Sequence, residues 1–195
     1  MKRSLVRAGV DAIVRMSSTQ TNYWVEVGVD LTLGMLLVFE GWRLHAGSPL
    51  AALFAIALGL FAFSFFEYFF HRWMFHTRIP LFEQGHRMHH EHPLGYDSLP
   101  FFLPGAVLLI LTGLCVLIVP TGFALLMMGS VTFGYIAYGL SHFTIHHVRF
   151  NNPLLRRWAG AHHVHHYHPD SNFGVTTPLW DVLLGTRYVR QPRNI

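Results

Sequence analysis

The chain has 195 residues, of which 52% are hydrophobic and only 12% charged, where an average soluble protein carries about 25% charge. That is the length of one domain and the composition of a membrane protein rather than of an ordinary soluble one. A single cysteine, Cys115, excludes an internal disulfide framework and a Cys-ligated zinc finger. The net charge of +4 comes from arginines scattered along the chain, without the basic, aromatic-interleaved stripe that nucleic-acid binding uses.

Residues 1–22 read as a basic amphipathic segment. Arg3, Arg7, Asp11 and Arg15 recur every four residues, and Leu5, Val6, Val10, Ile13 and Val14 lie elsewhere around the helix. Such a helix lies on anionic headgroups. Charge interrupts its apolar residues and no small-residue cleavage site follows, so a cleaved signal peptide is not expected.

Residues 23–195 read as one membrane domain. A helical span needs about 20 apolar residues, and four stretches qualify: about 23–45, 49–70, 99–119 and 121–140. The predicted fold is all-α, an integral membrane four-helix bundle with a cytoplasmic, histidine-rich helical cap formed by 71–98 and 141–195. In the first span Glu26, Asp30 and Glu40 fall within about 80° of one another on a helical wheel, so they are expected to face other helices rather than lipid. All of the 14 basic residues except Arg43 fall in the N-terminal segment, the loop between spans two and three, or the C-terminal region. By the positive-inside rule both termini of this multi-pass chain are cytoplasmic, in a bacterial inner membrane or the endoplasmic reticulum.

Thirteen of the fifteen histidines form four clusters just beyond these spans. They are His71 and His76; His86, His89 and His90 with His92; His142, His146 and His147; and His162, His163, His165 and His166. With the topology above, all four clusters meet on the cytoplasmic face. Imidazole is the commonest side-chain ligand for first-row transition metals. His-x-x-His-His, present at 86–90 and 162–166, places rings at i, i+3 and i+4 on one helix face, and His142 and His146 share a face too. His71 and His76 point about 140° apart on an ideal α-helix, so they reach different metals or the helix ends between them.

The spacing selects ten rings: His71, His76, His86, His89, His90, His142, His146, His162, His165 and His166. Five per metal in a two-metal centre would leave one octahedral position open on each, whereas a structural zinc site is closed by four ligands. Candidate partners for the rings' second nitrogens are Glu67, His147, His163, Asp170 and Asp181, with Glu83, Glu91 and Asp97 also near the clusters. His45 lies at the opposite membrane face, and His92 and His168 each precede a proline. These three are expected outside the site.

These motifs resemble the fatty acid hydroxylase and sterol desaturase superfamily over about residues 60–188. The resemblance rests on Glu67-Tyr-Phe-Phe-His71 through His76, His86-x-x-His89-His90, Tyr138-x-x-x-His142-x-x-x-His146-His147, His162-x-x-His165-His166, and the tail from Phe173 through Trp180-Asp181 to Gly185-Thr186. It is closest in look to the sphingolipid and fatty acid 2-hydroxylases. It implies a membrane enzyme with two iron ions held by the ten histidines (zinc replacing iron in some preparations), O2 as co-substrate and a lipid acyl chain as substrate. Two departures stand out. Some members carry a preceding cytochrome b5 domain that does not appear here, and 2-hydroxylases commonly show Tyr-Asp where this chain has Tyr138-Gly139.

A lipid C–H bond has no acidic proton and no leaving group, so its oxidation calls for a redox metal with dioxygen. Tyr138 is a candidate contributor beside the metals. Phe65, Phe66, Phe69 and Phe101 serve either an acyl slot or bundle packing. With no dinucleotide fingerprint and no cysteine cluster, electrons are expected from a separate cytochrome b5- or ferredoxin-like protein, docking on a basic face that includes Arg149, Arg156 and Arg157. The alternatives are a desaturase or a carotenoid or sterol hydroxylase of the same superfamily, and a non-catalytic membrane metal-binding or transport protein.

Overall fold

A computed structural model describes residues 2–76 and 79–190. Arg78 and Arg193, which enter the topology count, lie outside these residues. The described regular structure is all helical: α1 (Lys2–Ser17), α2 (Gln20–Leu44), α3 (Pro49–Phe69) running on as a π-helical turn (Phe70–Phe75), α4 (Pro80–Glu91), α5 (Leu103–Val116), α6 (Thr121–His147), α7 (Pro153–Tyr167) and a short α8 (Leu179–Leu183).

The helix starts follow local chemistry. Thr19, Ser48 and Asn152 cap α2, α3 and α7, each accepting a backbone N–H of the first turn. Proline occupies the first turn of α3, α4, α5 and α7, where its missing N–H costs nothing.

Helix α6 is the centre of the fold, with α2, α3 and α5 packed around it. Small residues allow close approach, as is usual between membrane helices. Ala52 and Ala55 of α3 pack with Leu126 of α6, and Leu108 of α5 packs with Met128 and Val131. At Gly59 an added Cβ would run into the backbone carbonyl of Met127, and at Gly129 it would lie 2.7 Å from Val38. Large apolar side chains such as Phe39, Leu50, Phe54, Ile110 and Leu117 point outward.

Among the described residues two helices are long and apolar enough to cross a membrane, Pro49–Phe75 and Thr121–His147. Both overrun the expected spans, and the overrun carries histidines. The expected third span, 99–119, is helical only from Leu103 to Val116. At 1.5 Å per residue that is about 21 Å, short of the roughly 30 Å hydrocarbon core. Pro100 and Pro104 delay its start, and its last turn tightens, with Leu117 N–H donating to Leu114 O. The acidic residues of α2 also separate. Glu26 and Asp30 are buried, but Glu40 is partly exposed and pairs with Arg43 at 2.6 Å; it lies about 80° around the helix from Asp30, at the edge of the face that packs on α6.

Gly59→Val should therefore destabilise the protein by about 1–3 kcal/mol, the usual cost of overpacking. Gly113→Ala, with open space around it, should be neutral or slightly stabilising. Thermal unfolding in matched detergent distinguishes the two, and equal midpoints would refute the close α3–α6 contact.

Candidate metal centre

Four helix ends converge on one side of the fold. The π turn brings His71 and His76, α4 brings His86, His89 and His90, the end of α6 brings His142 and His146, and α7 brings His162, His165 and His166. The ten rings separate into two groups of five: His71, His76, His86, His90 and His165, and His89, His142, His146, His162 and His166. Within each group the available ligand nitrogens all lie within 4.8 Å of one another. The groups touch, with the rings of His90 and His166 stacked at 4.3 Å between centroids.

The π turn decides the placement of the first pair. On an α-helix residues five apart diverge, but i→i+5 hydrogen bonding makes five residues roughly one turn. His71 and His76 consequently stack at 5.5 Å and 20° and join the same group. Each His-x-x-His-His is split between the groups. On α4, His86 and His90 enter the first group and His89 the second, while on α7, His162 and His166 enter the second and His165 the first. Positions i and i+4 differ by about 40° around the helix, and i+3 lies about 60° off on the other side. One helix face therefore serves both groups.

The nitrogen spacing suits metal ions. Nε2–Nε2 distances are 2.9 Å for His71–His165, 3.3 Å for His76–His165, 3.1 Å for His86–His76 and 3.0 Å for His90–His86. In the second group His89–His166 is 3.0 Å, His166–His162 is 3.2 Å and His162–His146 is 3.0 Å. Neighbouring ligands on an octahedral ion at about 2.1 Å would be about 3.0 Å apart.

Hydrogen bonding strengthens the fit. His71 Nδ1 donates to Phe173 O at 2.5 Å and His165 Nδ1 to Ser171 O at 2.8 Å, so both Nε2 atoms present lone pairs. Burial pushes His165 down to about 3, which excludes an imidazolium at neutral pH. Two lone pairs 2.9 Å apart repel, and a cation between them removes the repulsion. Burial likewise holds His90 at about 4 and His166 at about 3, with neighbouring histidines adding to both, and pushes His86 and His162 well below the usual histidine range. All are neutral at pH 7, as metal ligands must be.

The loop that supplies the two carbonyls is fastened by buried acids. Asp181 accepts the N–H groups of Phe173 and Gly174, both at 2.8 Å, and the Thr186 hydroxyl at 2.7 Å. Glu67 accepts from Val175 N at 2.5 Å, from Thr176 N at 2.8 Å and from the Thr176 hydroxyl. Glu67 and Asp181, considered from sequence as partners of the rings, thus bond to this loop. Asn172, at φ 55°, turns the chain in a left-handed conformation that asparagine tolerates. The parts of the site that spacing did not reveal are the carbonyls of Ser171 and Phe173. The signal for them is the turn-forming run Asp170-Ser171-Asn172 just after the fourth cluster.

The remaining candidates are placed as follows. Asp97 stands 3.9 Å from His89 Nδ1 and 3.8 Å from His142 Nδ1, beyond direct hydrogen bonding. His89 Nδ1 and His162 Nδ1 are buried without a hydrogen-bond partner. Tyr138 stacks on His142 at 5.8 Å and 6°. His147 is exposed, stacks on Phe143 at 3.9 Å and has its nitrogens beside Phe143 O and Leu94 O. His163 is exposed, 5.6 Å from the ring of His146, and Asp170 is exposed. Glu83 pairs with Arg87. His45 sits beside Ser48 O, at the far end of the helices from the two groups. His92 caps the C-terminus of α4, and His168 stacks on Tyr188 at 4.4 Å.

A cavity of about 120 Å³ reaches both groups, with His86 of the first and His142 of the second in its wall. Tyr138, Phe75, Phe82 and Ile136 also line it.

An all-helical chain with candidate membrane helices and ten imidazoles in two adjacent groups defines a histidine-rich membrane protein suited to hold metal ions. Comparison with known proteins gives the family. Residues 56–186 match the fatty acid hydroxylase family, and the chain belongs to it. It is 30% identical over 142 residues to the dihydroceramide fatty acyl 2-hydroxylase FAH1 of Arabidopsis thaliana, covering 67% of this chain and 59% of that protein. It is 31% identical over 150 residues to human fatty acid 2-hydroxylase, covering 69% of this chain and 40% of that one. The chain thus spans well under two thirds of these relatives. A solved structure of full-length Scs7p, in which only the hydroxylase domain is visible, superposes with a TM-score of 0.75 at 26% identity and covers 90% of this chain and 69% of that one.

Burial of neutral rings sets a pH dependence for the metal-free protein. Below about pH 6.5 the unfolded chain binds protons that folded His90, His165 and His166 refuse, so stability falls with pH until those rings protonate near 4 to 3. Above 6.5 they contribute no slope. Unfolding midpoints of metal-free protein between pH 4.5 and 8.5 should be flat above pH 7 and drop below 6. A maximum near pH 5 would contradict the buried neutral rings.

Proposed function

We propose that this chain is a membrane-bound lipid hydroxylase that uses O2 and two iron ions held by the ten histidines. The observation that carries this reading is the pair of carbonyl-locked rings, His71 and His165, with lone pairs facing across 2.9 Å inside a two-by-five arrangement. The relatives named above as fatty acyl 2-hydroxylases support an acyl chain as substrate.

When bound, a pair of redox-active ions supplies the oxygen chemistry that an unactivated C–H bond requires. The chain's own residues do the rest. His86 and His142 carry the wall of one cavity into both groups, so a carbon held there is beside both. Phe75, Phe82 and Ile136 exclude water around it. Tyr138, parallel to the His142 ring at 5.8 Å, lines the same space.

In this reading residues 1–22 lie on the membrane surface and residues 23–195 form the hydroxylase domain. Its spans place the histidine cap and both termini on the cytoplasmic side. Electrons arrive from a separate cytochrome b5- or ferredoxin-like carrier, for which exposed Arg149, Arg156 and Arg157 offer a basic face.

Purified protein should hold two metal ions per chain, iron in the active form, and one tightly bound zinc would refute the reading. His89→Ala should abolish product, a loss of at least about 100-fold as for other ligand deletions, while His45→Ala should keep most activity. Comparable losses would overturn the ligand assignment. Lipid profiles of cells with and without the protein should differ in 2-hydroxy acyl chains. A change confined to carotenoids, sterols or double bonds would redirect the assignment within the superfamily.

A further inference from the structure

The cavity that reaches His86 and His142 also has Glu26, Asp30 and Tyr135 in its wall. Glu26 is 4% exposed and Asp30 1%. Tyr135 donates to Glu26 Oε1 at 2.5 Å, but Glu26 Oε2 and both carboxyl oxygens of Asp30 have no hydrogen-bond partner. Among the described residues no lysine or arginine lines this cavity. Buried acceptors left without donors destabilise a fold. Such oxygens on two residues that line one cavity call for a donor that enters it.

Helix geometry gives the distance. Tyr135 and His142 are seven residues apart on α6, two turns on nearly the same face, and so about 10 Å apart along the axis. Glu26 sits beside Tyr135. On α2, Tyr23 donates to Gly139 O, so α2 runs antiparallel to α6. Asp30, one turn past Glu26, therefore lies farther still from His142. The same wall also includes Val27, Phe82 and Ile136, which suit methylene groups. A plain alkyl chain pushed to the inner end would leave the acceptors unsatisfied, and a free carboxylate would be repelled by them.

We propose that Glu26 and Asp30 form a polar subsite for a hydroxyl or amide N–H group of the lipid, in the part of the cavity beside Tyr135 rather than beside His142. Tyr135 holds Glu26 in place, and the two acids determine specificity without touching the reacting atoms. The orientation of the lipid rests on the hydroxylase reading, whereas the preference for a donor group does not.

The test uses the full chain in nanodiscs and measures equilibrium binding of labelled dodecan-1-ol, of its donor-free ether 1-methoxydodecane and of N-dodecylacetamide. Metal-free protein should bind the alcohol or the amide at least about fivefold more tightly than the ether, the gain of one well-made hydrogen bond. The stronger of the two identifies the donor as hydroxyl or amide. Asp30→Leu should remove that preference while unfolding at or above the wild-type temperature, since it removes an unsatisfied buried group. Should that variant not fold, Asp30→Asn provides the second arm, because its amide can donate to the ether oxygen and should raise ether affinity. Equal wild-type affinity for the donor-bearing and donor-free probes would overturn the proposal, leaving water as the occupant. Donor preference in a protein that, loaded with iron, hydroxylates no lipid would support the subsite and overturn the hydroxylase reading. Hydroxylation of alcohol and ether with equal kcat/KM would sustain the hydroxylase reading and overturn the subsite.

Discussion

The opposition of two lone pairs organises this protein. His71 and His165 each donate one ring proton to a backbone carbonyl and turn the other nitrogen towards its counterpart at 2.9 Å. Among the described residues no group donates between them, so the fold must hold the rings together from outside. Glu67 and Asp181 do so at one remove. They accept four backbone N–H groups from residues 173–176, and thereby fix the loop that fixes the rings. Buried carboxyl groups near a histidine centre invite the reading that they bond to the rings themselves. Here they secure the backbone that does.

The interleaving of the two groups follows from the same economy. A helix presenting histidines at i, i+3 and i+4 cannot aim all three at one point, because i+3 and i+4 diverge by about 100°. Helices α4 and α7 resolve this reciprocally, each giving two rings to one group and one to the other. Each group then depends on three separate helical segments. Displacing either α4 or α7 disturbs both groups at once, which couples them mechanically without any residue between them.

Spacing alone made the ten histidines legible, because repeated short-range patterns survive without knowledge of tertiary contacts. The sorting into groups was not legible, since it depends on which helices face each other. The π turn at Phe70–Phe75 was not legible either: its hydrogen-bond slip depends on the packing of His71 and Tyr68 against the 173–186 loop. Hydropathy recovered the two long spans but overextended α5, where apolar Leu99, Leu117, Ile118 and Val119 continue the composition without continuing the helix. The helical wheel grouped Glu26, Asp30 and Glu40 correctly by angle. It could not show how wide the buried face of α2 is, so that Glu40, at its edge, meets Arg43 while the other two meet a cavity.

The motif around Gly139 gains a physical meaning from that cavity. The 2-hydroxylases that this chain resembles commonly place an aspartate directly after the tyrosine, on the helix that carries the third histidine pair. Here the position is glycine, its carbonyl accepts the Tyr23 hydroxyl at 3.0 Å, and a Cβ there would meet nothing within 4 Å. The space is open, so sterics do not demand the glycine. The carboxyl groups in the wall of this cavity come from α2 and from the segment that carries Asp97. An aspartate at position 139 would add a carboxyl group to α6 about one turn from His142, so the pattern of acceptors along this wall depends on that position. Two chains with the same histidine frame can therefore present different patterns of acceptors to what enters, and selectivity can change while the centre itself does not.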